Sequence, residues 1–600
     1  MADKESVPES TLDPVLTAVL ANRLDGIIRE MSNTLLRSAR SAVINSARDF
    51  SCSIVTGDNR MLASAEGLPV HIFGSNLQAA SMCELHKDLA EGDAFLHNDP
   101  YLGNTHPADH TILVPVFHEG EHLFTVCAKA HQADIGNSAP TTYHPAARDV
   151  YEEGSLIFPC VRVERNYTQI DDIVRMCRSR IRVPNQWNGD FLAGIGSARI
   201  GERRLKEFSE KYGRETIHKF INDWFDYSER RMVQAIKKLP KAHLVNHGAH
   251  DPFEPLLPDG IPIKVVIDVD PDAAMIDIDL RDNIDCLDCG FNESEACATT
   301  NVMVGVFNCL GADFPQNAGS MRRIRVHLRE NCVVGIPRFP HSCSVATTNV
   351  ADRLVNITQP AFAQLGEGYG LAQGGASMGG GNAVVSGPDF RRNGEPYINQ
   401  LFLGSGGGPA TPLNDGWVTY GIPVVSGLMY RDSVEVDELK HPFEVKSLRL
   451  VPGGGGAGRF RGAPGVEIIY GSKQDVMTVA CPCDGQHNPP EGVLGGEDGL
   501  AAATYRITPN GDREKLPNVI QMDFKPGEWL MAVDNGGGGY GDPLEREAGR
   551  VLHDVRENWE TPERARDIYG IVLTGSINDE DLDVDLAATE IRRSELAAAR

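Results

Sequence analysis

The chain has 600 residues, 41% hydrophobic and 23% charged, enough for a soluble globular protein of two to four domains. Lys+Arg 57 against Asp+Glu 83 leaves a formal charge of −26, which argues against a nucleic-acid backbone or an anionic membrane as partner. No apolar run approaches the length of a membrane-spanning helix, and the opening MADKESVPES lacks the features of a signal peptide. The cysteines, an odd 13 scattered from Cys52 to Cys483, read as reduced thiols and suggest a cytoplasmic protein.

In chain order, Asp13-Pro14 predicts a capped helix start, followed by apolar residues at helical spacing from Val15 to Leu35. FSCSIVTGDNRMLASA predicts a hairpin turning at Gly57-Asp58-Asn59. Residues 97–136 hold six histidines and three aspartates around two β-prone runs, HTILVPVF and HLFTVCAKA, joined by the short HEGE. Pro115 marks the first of these as an edge strand or a bulged one. A helical hairpin broken near Gly213 follows, then IPIKVVIDVDPDAAMIDIDL, two strands with a Pro-Asp turn. Glycine-rich, turn-rich β structure fills the second half. Helices close the chain from Pro543 to about Trp559, from Thr561-Pro562 to Gly570, and from Asp585 onward.

The expected fold is therefore α+β: an N-terminal α/β region with the histidine hairpin (1–195), a helical hairpin (196–255), a Gly-rich β region (256–530) and a C-terminal helical segment (531–600). Gly453-x-Gly455-x-x-Gly458 matches a dinucleotide-binding pattern in letters only, because RFRGAPG after it is a poor helix opening; tight turns explain these glycines better. No GxxxxGK[ST] occurs, so ATP chemistry would need another chain. Cys286-x-x-Cys289 and Cys481-x-Cys483 read as separate buried thiols rather than one zinc site.

The hairpin carries the chemistry. With its turn centred between Glu119 and Gly120, facing positions place His131 beside His106-Pro107-Ala108-Asp109. Two imidazoles and a carboxylate, His106, His131 and Asp109, then converge as a ligand set for a divalent transition metal. Asp99, His110 and Asp134 are candidates for supporting hydrogen bonds or proton transfer, and Asp49 is a further acid–base candidate.

HNDPYLGNTHPADH…AHQADIG, with RDFSC (48–52), ARIGERRL (198–205), GAGRFRGAPGVE (456–467) and DNGGGGYGDPLERE (534–547), resembles the hydantoinase B/oxoprolinase family over nearly the whole chain. Its look is nearest to the subunits of acetone and acetophenone carboxylases, the lean coming from NSAPTTYHPAARDVYEEG. The resemblance implies a hetero-oligomer in which a hydantoinase A-like partner binds ATP and phosphorylates a carbonyl or enol oxygen. It also implies a metal, zinc or manganese, on a His-x-x-Asp pair plus a distant histidine, a pattern falling on His106, Asp109 and His131. Three functions are expected in order: carboxylation of a ketone with bicarbonate, ATP-dependent hydrolysis of a cyclic amide (a hydantoin, oxoproline or a lactam), and a non-catalytic scaffold. Neither nucleic acid nor membrane is an expected partner.

Overall fold

A computed structural model of the chain describes residues 12–65, 67–311, 314–376 and 378–599; the opening residues read above for a signal peptide lie outside them. The fold is a mixed α+β arrangement of several sheets and helices. Asp13 accepts a hydrogen bond from the Val15 amide and starts a helix at Pro14–Ser38. Pro184–Tyr212 and Arg214–Ile236 meet at Gly213, whose φ of 77° breaks the helix. The expected C-terminal helix from Pro543 is interrupted: a 3-10 turn, Pro543–Glu545, precedes the helix Ala548–Arg556, and Pro562–Asp567 and Leu586–Ala599 follow. Among the described residues no helix is long and apolar enough to cross a membrane.

Seven antiparallel strands form the sheet that carries the site: β1 Phe50–Thr56, β2 Met61–Ala65, β3 Ala94–His97, β4 Asp109–His118, β5 Glu121–His131, β6 Val161–Arg165 and β7 Thr168–Gln169. Their order is β2-β1-β5-β4-β3-β6-β7. Side chains alternate across it, so each face has its own core. Cys52, Ile54, Ile112, Val114 and Val126 pack with Leu24, Ile28, Met31 and Leu205 of the helices Pro14–Ser38 and Pro184–Tyr212. On the other face Val55, Leu113 and Cys127 join Val302, Val306 and Leu354 of the helices Glu295–Leu310 and Val350–Ala361. Each fully buried aliphatic side chain of this kind contributes about 1.5–3 kcal/mol. ARIGERRL serves this packing: a Cβ on Gly201 would lie 2.6 Å from Met31 Sδ and 2.9 Å from Val126 Cγ1.

The β4–β5 ladder differs from the expected register by one residue. Phe117 pairs with His122 but Val116 pairs with Phe124, a bulge at Leu123 that sets Asp109, rather than Ala108, opposite His131. That single step matters, because one residue of slip moves a side chain to the other face. Pro115 sits in an interior strand rather than at an edge. It is tolerated because β3 pairs only with residues 111–113, so the ladder on that side has ended before the missing amide hydrogen is needed.

The glycine clusters are mostly not turns. Gly407 donates to Asn535 O, Gly456 to Gly537 O and Gly537 to Ala463 O at 2.8–2.9 Å, stitching three segments backbone to backbone. A Cβ on Gly536 would fall 1.7 Å from Gly454 O, and one on Gly462 1.9 Å from Gly537 O. Close approach of main chains, not positive φ, is what requires glycine at these positions; Gly453 (φ 68°) and Gly541 (φ 75°) retain the turn role.

Two buried carboxyls at the helix Val434–Lys440 give a pH signature. Burial, with the like charge of Asp432 beside it, pushes Asp437 up to about 8, and burial raises Asp432 to about 6. A raised folded pKa means the folded chain holds protons that the unfolded chain has released, so stability falls as pH rises from near 4 through about 8. Asp437→Asn removes that loss: it is expected to gain roughly 2 kcal/mol over the parent at pH 9 and nearly nothing at pH 4, read by denaturant titration at the two pH values.

Candidate metal centre

At the open end of the β4–β5 hairpin, three buried donors meet: His106 Nε2–Asp109 Oδ1 is 3.0 Å, His131 Nδ1–Asp109 Oδ1 3.1 Å and His106 Nε2–His131 Nδ1 3.2 Å. Among the described residues this is the group of His, Cys, Asp or Glu whose ligand atoms all lie within 4.8 Å of one another. Asp109 and His131 are brought opposite by the bulged register, and His106 comes from the loop before β4. That loop is braced by Asn104, whose Nδ2 donates to the carbonyls of His106 (2.7 Å) and Asp109 (3.0 Å) while Gln78 Nε2 donates to its Oδ1 (2.6 Å). Tyr143 stacks on both imidazoles, 5.6 Å from His106 and 5.3 Å from His131 between ring centres, and fixes their planes.

The protons decide whether a cation fits. His106 Nδ1 faces the Ser344 carbonyl at 2.9 Å and must carry a hydrogen to donate to it, which leaves Nε2 with a lone pair in the neutral ring. His131 Nε2 lies 3.2 Å from Thr142 Oγ1; the tautomer that donates to that hydroxyl presents a lone pair at Nδ1. With both rings neutral in these tautomers, two imidazole lone pairs and a carboxylate oxygen converge on one point, a place for a metal ion or for a proton shared from His106 Nε2 to Asp109. Donors bound at about 2.0–2.2 Å on one face of a divalent ion stand about 3.0–3.4 Å apart, and the observed triangle matches that spacing. Second bonds of this kind, ring to carbonyl and ring to hydroxyl, orient metal-bound imidazoles.

The charges agree. Burial opposes ionisation of Asp109, but His106 and His71 hold it well below the usual carboxylate range. Burial also opposes a charged His106, yet Asp109 raises it. Burial brings His131 down to about 4 even with the Asp109 hydrogen bond opposing it.

Of the other residues singled out from the sequence, only Asp49 belongs here. It lines the cavity beside His131, and burial together with Asp109 raises its pKa well above the ordinary value. Asp134 is taken up by Arg182 (Oδ1 3.1 Å to Nη1) and by the Gly136 amide at 3.0 Å. Asp99 caps a 3-10 turn through Tyr101 N at 2.9 Å. Neither lines the cavity. His110, adjacent in sequence to Asp109, projects from the opposite face of β4 and meets Trp187 Nε1 at 3.4 Å.

Sequence reading missed His71. It sits in a single helical turn, Pro69–Ile72, and its Nε2 lies 3.2 Å from Asp109 Oδ2 and 3.6 Å from Asp49 Oδ1. LPVHIFG gave no signal for it, since one histidine in an apolar run reads as core. Lys129 was also missed, although strand alternation places it on the same face as His131, opposite Thr111, where its Nζ is buried without a hydrogen-bond partner.

A family model described as hydantoinase B/oxoprolinase matches residues 13–543. The chain belongs to the hydantoinase B/oxoprolinase family. Within it, the chain is 27% identical over 599 residues to caprolactamase subunit beta of Pseudomonas jessenii, covering 98% of this chain and 100% of that one. It is 24% identical to 5-oxoprolinase 1 of Arabidopsis thaliana across 89% of its own length and 42% of the longer protein. The crystal structure of the ATP-dependent caprolactamase from Pseudomonas jessenii superposes with a TM-score of 0.88 at 26% identity, over 98% of this chain and 100% of that one. Nucleotide-free acetone carboxylase superposes with a TM-score of 0.86 at 18% identity, covering 98% of this chain and 83% of that one, a likeness of fold. The carboxylase lean taken from residues 137–154 therefore has less behind it than the amide alternative.

Proposed function

We propose that this family member is one subunit of an ATP-dependent enzyme that hydrolyses a cyclic amide, and that His106, Asp109 and His131 hold a divalent cation, zinc or manganese, at its reaction centre. The observation that carries the reaction is the full-length likeness to a caprolactamase subunit, in sequence and in fold. A hydantoinase A-like partner would bind ATP and transfer its γ-phosphoryl group to the amide oxygen. Water then adds to the activated carbon, the C–N bond breaks with the nitrogen taking a proton, and a second water hydrolyses the acyl phosphate. The balance is cyclic amide, ATP and two waters to amino acid, ADP and phosphate.

A cation held here would supply Lewis-acid stabilisation of the oxyanion, worth several kcal/mol. The chain's own residues do the rest. Asp49, whose pKa burial and the neighbouring Asp109 raise, lines the cavity and is the candidate acid for the departing nitrogen. His71 donates to Asp109 Oδ2 and so turns Oδ1 toward the two imidazoles. His71→Ala is expected to weaken cation binding about 10- to 100-fold, the usual effect of losing a bond to a ligand, read by metal titration of the stripped protein. ATP dependence and unpaired cysteines suit the cytoplasm.

Ketone carboxylation is the second reading, favoured by the fold likeness to acetone carboxylase. Bicarbonate separates the two. In the reconstituted complex, ADP release coupled to ring-opened product is expected in carbon-dioxide-free buffer with a lactam. ADP release only with a ketone and bicarbonate would transfer the site to carboxylation.

A further inference from the structure

The cavity beside the candidate metal centre has two unlike walls. Asp49, His71, His131, Tyr143 and Gln400 make the polar one; Gln400 Nε2 reaches Tyr143 Oη at 3.3 Å and its Oε1 has no partner. Leu68, Val70, Ile422, Val424, Phe402 and Met429 make the other, all hydrocarbon or thioether. No lysine or arginine lines the cavity. Arg431, in the adjoining pocket that shares Phe402, Ile422 and Met429 with this one, donates through Nη1 to the Gly404 carbonyl and keeps a buried Nη2 without a partner, but does not line this cavity.

The apolar wall is one layer of chain thick. Leu68, Val70 and His71 face inward, while Pro69, Ile72 and Phe73 face a cleft of about 460 Å³ on the other side. Val424, Val425 and Met429 face inward, and Ser426 and Leu428 face the same cleft. The inner cavity is only about 20 Å³, room for about one solvent molecule, so a ring can be admitted only by displacing this wall and must then lie against it.

Resting on the cyclic-amide reading, we infer that Leu68, Val70, Ile422, Val424 and Met429 form the ring-binding surface and select an uncharged, apolar ring. The amide edge faces the polar wall, where the free Gln400 Oε1 can accept the ring N–H. With the amide edge on the polar wall, a ring carboxylate, as in 5-oxoproline, would be pressed against hydrocarbon with no lysine or arginine on that wall to meet it. Leaving one buried charge unpaired weakens binding about a hundredfold or more.

The test uses the reconstituted complex with ATP, measuring ring-opened product from δ-valerolactam and from 5-oxoproline in the parent and in Met429→Lys. Met429 touches the cavity from the apolar side and holds no part of the ligand set. Expected is a kcat/KM at least about a hundredfold higher for the lactam, with Met429→Lys narrowing that ratio tenfold or more. A parent enzyme that prefers 5-oxoproline overturns the ring-surface assignment while leaving amide hydrolysis intact. So does a folded Met429→Lys complex with an unchanged ratio. If neither amide is opened and a ketone is carboxylated instead, both this inference and the reading beneath it fall.

Discussion

Asp109→Asn is expected to lower turnover by roughly a thousandfold and to strip the bound cation, with the fold retained. The substitution keeps shape and leaves an amide where Thr105 Oγ1 and His71 Nε2 now reach the carboxylate. What it removes is charge. Asp109 is the anion among the three converging donors, and it is ionised in spite of complete burial because His106 and His71 hold it so. An amide nitrogen turned toward His106 and His131 would also offer a donor where a cation needs a lone pair. The thermal midpoint of the parent should fall when a chelator removes the ion, since a ligand bound only by the folded state adds to its stability. Asp109→Asn should show no response to the chelator. Metal content and product formation, measured on the same preparation, check both halves.

Gly537→Ala is expected to destabilise the chain by about 3 kcal/mol or more, although it adds a single methyl group. That methyl would stand 2.0 Å from Gly408 O and 2.5 Å from its carbonyl carbon, both main-chain atoms that cannot rotate away. Gly537 also donates to Ala463 O at 2.9 Å and accepts from Gly456 N at 2.8 Å, so relieving the clash breaks the stitching of three segments. Gly549 is the control. It lies in the helix Ala548–Arg556 with nothing within 4 Å of an added Cβ, and Gly549→Ala should be neutral or stabilising by about 0.5–1 kcal/mol. Denaturant midpoints of the two variants should move in opposite directions.

The hairpin was legible because its signals are local: alternating apolar residues, and a turn at Glu119-Gly120 where both φ values are positive, 50° and 79°. The bulge at Leu123 was not, since nothing in HEGEHLF marks which residue is left unpaired, and the register therefore moved by one. Sequence nearness misled at His110 and Asp134. Strand alternation already placed His110 on the face opposite Asp109, whereas the Arg182 that occupies Asp134 is a partner no short-range pattern reveals. His71 reaches the site through tertiary folding alone. The glycine clusters could be recognised as structural, but their main-chain layering depends on segments as distant as Gly408 and Gly537.

Anomalous diffraction from metal-replete crystals of the native complex, collected on both sides of the zinc and manganese absorption edges, tests the cation centre most directly. One peak is expected, within bonding distance of His106 Nε2, Asp109 Oδ1 and His131 Nδ1 together. Density showing the three donors still clustered around no scatterer, or turned apart from one another, would contradict it.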